Sequence, residues 1–184
     1  MKAIAFFLDF LLVANLFLCT KHHITQNNNN NAQTERLKMH SRQTLDFNEI
    51  STLLDAAIAE ATRHDWKVSV AVVDDGGHLV AFRRLAGATA SSAQIAIDKA
   101  RSAALTQRPT RFFAEMLNSG VAGTASLAGV IPMIGGLPLL QRGQCLGGIA
   151  ASGVKAQFDE QIAAAGTKAI GCLEHPSTGS KESQ

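Results

Sequence analysis

Four side chains in this 184-residue chain carry chemistry suited to an active site: Asp74, Arg84, Lys99 and Cys145. A carboxylate can move a proton, a thiolate can attack a carbonyl, and an arginine or lysine can hold an anion. Together in a cleft between subunits they would suit a small hydrolase, isomerase or decarboxylating auxiliary enzyme. Each also has a plainer reading. Asp74 is followed by Asp75, and neighbouring strand residues point to opposite faces, so the pair reads as turn formers. Arg83 and Arg84 diverge for the same reason and read as an exposed strand end. Lys99 is an anion ligand or a partner for Asp159, with a solvated helix face as the default. Cys145 sits in an apolar run and reads as a small filler.

A second constellation follows Pro109. Thr110, Arg111, Phe112, Phe113 and Met116 place a hydroxyl, a cation, two aromatic rings and a thioether within seven residues. A capping threonine beside two aromatics could line an apolar pocket at a helix end. The plainer reading is a capped helix that buries one phenylalanine.

Several chemistries are excluded by pattern. Gly135-Gly136, Gly143, Gly147-Gly148 and Gly153 form neither GxxxxGK[ST] nor GxGxxG between a strand and a helix, so they read as turns and sites of close backbone approach. The three cysteines, Cys19, Cys145 and Cys172, lack metal-ligand spacing, and the six histidines are scattered, so no metal site is expected. Four basic and two acidic residues fall in the first 38 positions, which leaves 13 of each in the rest. A neutral core argues against nucleic-acid binding, which needs clustered Lys and Arg.

Three segments differ in composition. Residues 1–38 combine an apolar run behind Lys2 with the tract Asn27–Asn31. Asp9 interrupts the run, no small-x-small cleavage site follows, and it is too short for a stable membrane span. Translation from Met39 would make the protein cytoplasmic; use of the apolar segment would export it. Residues 39–175 form one domain, and 176–184 are a polar tail.

Within the domain, Leu53, Leu54, Ala57, Ile58 and Ala61 recur at helical spacing, and Asp46 with Glu49 predicts a capping box. Val68–Asp74 is apolar on both faces, as in a central strand. Asp75-Gly76-Gly77 turns it into a partner at 78–84. Ser91–Gln107 is a helix with an alanine stripe and a second capping box from Ser91 and Gln94. A short helix runs from Thr110 to Leu117. Ala128–Ile134, Leu137–Gln141 and Gln144–Ser152 read as a three-strand meander. A last helix covers Ala156–Ile170, with Phe158, Ile162 and Ala165 inward. Short turns between neighbouring strands and grouped helices predict an α+β domain.

Four segments in order, AVVDDGGHLVAFRRLAGA, SAQIAIDKARSAAL, GGLPLLQRGQCLGGIAASG and FDEQIAAAG, resemble the GlcG/HbpS-like family over about residues 45–172. That family includes the C-terminal domain of PduO-type adenosyltransferases and a secreted haem-binding sensor accessory protein. The resemblance implies a profilin-like, five-stranded antiparallel sheet flanked by helices, and homo-oligomers of dimers or larger rings. It implies haem as a cofactor in some members, and places others beside glycolate, diol or aromatic catabolism. A threonine after proline helps hold haem in the secreted member, and Arg108-Pro109-Thr110 looks like the corresponding place. The chain lacks that member's acidic surface cluster, which counts against iron storage. It also reads GIAASG where the family more usually has GIGVSG. A haem site needs an apolar slot, an axial ligand and a cation for the propionates. Phe112, Phe113 and Met116 would supply the slot, Thr110 or a histidine the ligand, and Arg108 or Arg111 the cation. The expected function is a small oligomeric haem-binding accessory protein, with the auxiliary enzyme as the alternative and a purely structural oligomer third.

Overall fold

A computed structural model describes residues 42–172, and the expectations for 1–38 and for the tail lie outside these residues. The first helix, α1 (Phe47–Arg63), starts as its sequence predicts. Asp46 Oδ1 accepts the Glu49 N–H at 2.7 Å, and Glu49 Oε2 accepts the Asp46 N–H at 2.9 Å. Two otherwise orphaned donors are thereby satisfied. Then come β1 (Ser69–Asp74), β2 (Leu79–Arg84), α2 (Ala90–Thr106), α3 (Thr110–Asn118), a 3-10 turn at Ala122–Ser126, β3 (Gly136–Gln141), β4 (Gln144–Ser152) and α4 (Ala156–Ala169).

The sheet is antiparallel with order β2-β1-β4-β3. Alternation along β1 assigns its two faces. Val70 and Val72 meet Leu53, Ala57 and Ala61 of α1 and Ile162 and Ala163 of α4. Ala71 and Val73 meet Ala96, Ala100 and Ala104 of α2. The domain is therefore α+β, with the sheet held between α1 and α4 on one side and α2 on the other. His64, Trp66 and Phe158 stack at centroid distances of 4.3 and 4.7 Å and tie the end of α1 to α4.

The α2 face is unusually close to the strands. A Cβ added to Gly148 would lie 2.4 Å from the Ala100 carbonyl oxygen and 3.1 Å from the Ala104 nitrogen. The double glycine in β4 thus lets a helix backbone rest on a strand, which is the close-approach reading of that motif.

Three local expectations are corrected. Ala128–Ile134 is not a strand, and the described sheet has four strands rather than five. Gly129 takes φ +73°, Pro132 has no N–H to give a ladder, and the Ile131 N–H is taken by Ser102 Oγ at 2.8 Å. The second helix starts one residue early, on Thr89 without a side-chain cap, so the Ser91–Gln94 box does not form. Thr110 is the first residue inside α3, not its cap; Pro109 takes that position, where its fixed φ suits it.

Among the described residues the outer strand β2 pairs only with β1, and Leu79, Val80 and Phe82 are 46, 42 and 38% exposed. Cys172, at the far end of α4, is buried, and burial pushes its thiol up to about 11. At pH 8 about 0.1% would be thiolate, so in a Cys19→Ser protein Cys172 is expected to resist a disulfide reagent until the chain unfolds. Labelling of native protein that maps to Cys172 within minutes would contradict this burial.

Candidate functional site

Two candidate sites lie on opposite sides of α3. On its outer side, Phe112 and Met116 are half-buried and one turn apart, and the Arg108 guanidinium lies 4.5 Å from the Phe112 ring centroid. Phe113 packs edge-on to Phe112 at 5.2 Å and turns into the core. Arg111 is bound to Glu160 through Nε at 3.0 and 3.1 Å and through a closer Nη2 contact. Glu160 holds that guanidinium charged still more firmly than usual, so Arg108 is the less committed cation.

Thr110 is fully buried and faces inward. Its Oγ1 accepts the Gly136 N–H at 2.9 Å and lies 3.4 Å from the Gly136 carbonyl oxygen. This hydroxyl locks α3 to the first residue of β3.

On the inner side, Ala114 and Asn118 border a cavity of about 470 Å³ between α2, α3, the 132–134 loop and the β4–α4 turn. Lys99 forms its floor. This lysine is 1% exposed, so the expectation of a solvated helix face is overturned. Its ammonium donates to Asp159 Oδ2 at 2.8 Å and to the Ala151 carbonyl at 3.2 Å. The α2 stripe that carries the alanines also points Lys99 at the sheet, and a buried ammonium requires a counter-charge. Asp159 provides it and also accepts the Val154 N–H at 3.2 Å. Burial pushes the Asp159 carboxyl up, against the pull of Lys99 and of the Val154 and Gly153 N–H groups. Gly135, at φ +126°, passes so close that a Cβ there would sit 2.7 Å from the Asp159 Cβ.

The four scattered candidates stay scattered. Asp74 closes the β1–β2 turn, accepting the His78 N–H at 2.8 Å. Slight burial pushes this carboxyl up, but the His78 N–H and ring and the Gly76 N–H outweigh it and hold it below its usual range, a poor base at neutral pH. Arg84, at the other end of that hairpin, donates to the Ala88 carbonyl at 2.9 and 3.1 Å. Cys145 is half-buried under α2, its Sγ 3.6 Å from the Ala104 carbonyl. Lys99 alone lines the cavity. The pairing of Lys99 with Asp159, the alternative to a solvated face that its sequence offered, forms across sixty residues, whereas Ser152 was not among the expected site residues. Among the described residues no three His, Cys, Asp or Glu side chains come together as metal ligands, and no helix is long and apolar enough to cross a membrane.

The family model described as "Haem degrading protein HbpS-like" matches residues 45–168. The chain belongs to the HbpS-like family. Protein GlcG of Escherichia coli (strain K12) is 37% identical over 102 residues, covering 55% of this chain and 76% of GlcG. Among solved structures, the PduOC:haem complex is similar at a TM-score of 0.67 and 26% identity, over 72% of this chain and 99% of that one. A double mutant of HbpS from Streptomyces reticuli is similar at 0.68 and 28%, over 73% and 92%. This HbpS-like chain thus shares its α+β fold with a domain solved as a haem complex.

Proposed function

We propose that this HbpS-like protein is a small haem-binding accessory protein that acts as a homo-oligomer. The observation that carries this reading is the outer side of α3, where Phe112 and Met116 lie one turn apart and Arg108, from the connection just before the helix, lies over the Phe112 ring. The two apolar side chains offer one wall for a porphyrin face, and Arg108 offers a charge-assisted partner for a propionate. Family membership and the likeness to the PduOC:haem complex support the same reading.

The residues present fit haem in part. The wall and the cation are in place. Thr110 is spent on Gly136, so Met116, whose thioether is of a kind that suits haem iron, would be the residue of this helix to hold the group. A haem on an open helix face needs a second wall, and a second copy of the chain would supply it. The exposed Leu79, Val80 and Phe82 on the open sheet edge favour such self-association.

A haemin titration of the full chain, followed by absorbance with the mass fixed by light scattering, tests this. A saturable Soret shift is expected. Phe112→Ala should weaken it about tenfold, roughly 1.4 kcal/mol, and Arg108→Ala by a smaller factor. Thr110→Ser should bind as the parent does. No saturable shift, or a shift indifferent to Phe112 and Arg108, would overturn the reading.

A further inference from the structure

The cavity on the inner side of α3 is not part of the proposed haem face. Ala114 and Asn118 border it, whereas Phe112 and Met116 lie two residues earlier on the helix, about 200° round its axis. Its volume of about 470 Å³ falls in the range of small-ligand pockets.

Its electrostatics favour a small anion. Lys99 and Asp159 cancel each other's charge, and Asp159 is the single acidic residue of the lining. What is left over is positive. The first turns of α2 and α4 both border the cavity, at Thr89 to Ser92 and at Val154 to Ala156, and neither helix has a side-chain cap. Each such terminus carries roughly half a positive charge and unsatisfied N–H donors. A separate observation points the same way. Ser152 is only 5% exposed, lines the cavity, and makes no side-chain hydrogen bond to another described residue. Its hydroxyl therefore opens on the cavity uncommitted and can meet a polar group held there.

The rest of the lining selects the kind of anion. Ile95, Pro132, Met133 and Ile134 form an apolar wall. No arginine lines the cavity, and the one lysine is already neutralised, so it lacks the cation cluster that a phosphate dianion calls for. We propose that this cavity binds a small organic carboxylate with an apolar body, its carboxylate held by the first turns of α2 and α4 and by Ser152, and its body against the Ile95–Met133 wall.

The test is a ¹H–¹⁵N chemical-shift titration of the full chain with benzoate and butanoate, against benzamide, butanamide and inorganic phosphate. Benzoate or butanoate should saturate, with the largest shifts at Ser91, Ser152 and Ala156, and the amides should bind at least tenfold more weakly. Ser152→Ala should weaken the carboxylate several-fold. Ala156→Glu should weaken it tenfold or more with no fall in melting temperature, because an acid in the first turn suits the helix. The proposal is overturned if neither carboxylate saturates, if amides or phosphate bind as well, or if shifts fall elsewhere. Displacement of bound benzoate by one equivalent of haemin would also overturn it, since the cavity would then be part of a haem site. A Soret shift with no carboxylate binding, or the reverse, separates the failure of one proposal from the failure of the other.

Discussion

Replacing Lys99 with methionine is expected to lower the unfolding free energy by about 3–5 kcal/mol, the range found when one member of a buried ion pair is removed. The methionine fills the space of the lysine stem, so packing is largely kept. What is lost is the ammonium that meets Asp159 Oδ2 and the Ala151 carbonyl. Asp159 then keeps the Val154 and Gly153 N–H groups but no counter-charge, at 2% exposure. Domains of this size hold about 5–15 kcal/mol in all, so urea denaturation would show a large fall in midpoint. The deficit should depend on pH. Burial already raises the Asp159 carboxyl in the folded chain, and loss of Lys99 raises it further. A carboxyl whose folded pKa exceeds its unfolded value keeps its proton longer in the folded state, so stability falls as pH rises between the two values. The Lys99→Met deficit should be smallest in acid and full at neutral pH. Adding Asp159→Leu should restore most of the loss. A deficit equal at pH 4 and pH 8, and unrepaired by the second change, would mean that the pair contributes only shape.

Gly148→Ala is expected to cost about 3 kcal/mol, the upper part of the usual range for overpacking. The new methyl would meet the Ala100 carbonyl oxygen and the Ala104 nitrogen, which are helix backbone and cannot rotate aside. Either α2 lifts from the sheet or β4 bends, and both open the alanine contacts with Ala71 and Val73. Gly123 provides the control: an added Cβ there touches nothing within 4 Å, and Gly123→Ala should change stability by no more than about 0.5 kcal/mol. Equal urea midpoints for the two variants would show that the helix–sheet contact yields easily.

These two positions differ in how far sequence reveals them. Local signals are readable because their cause is local. The Asp46–Glu49 box needs three residues, and the alternation of β1 needs six; both form as expected. The Ser91–Gln94 pattern has the same form yet fails, because the chain enters α2 at Thr89. Pro132 and Gly129 already argue against a strand at 128–134, but the decisive competitor, the Ser102 hydroxyl on the Ile131 N–H, comes from 29 residues away. Lys99 defaults to a solvated face in sequence because a lysine usually is; Asp159 is nameable as its partner, but the choice between the two readings is made by the fold, which brings the carboxylate beneath it. The α3 residues were legible as a group, since one helix carries them all, while the inward commitment of Thr110 to Gly136 was not.

The contact of α2 with β4 has a consequence for how the chain reaches its fold. Strand pairing by itself tolerates a slip of one residue, at the cost of exchanging the two faces. In this sheet such a slip would bring Ile149 under α2 in place of Gly148, and a helix that rests on a bare backbone has no room for a branched side chain. Docking of α2 therefore acts as a gauge: the native alignment admits the helix, and one shifted by a residue does not.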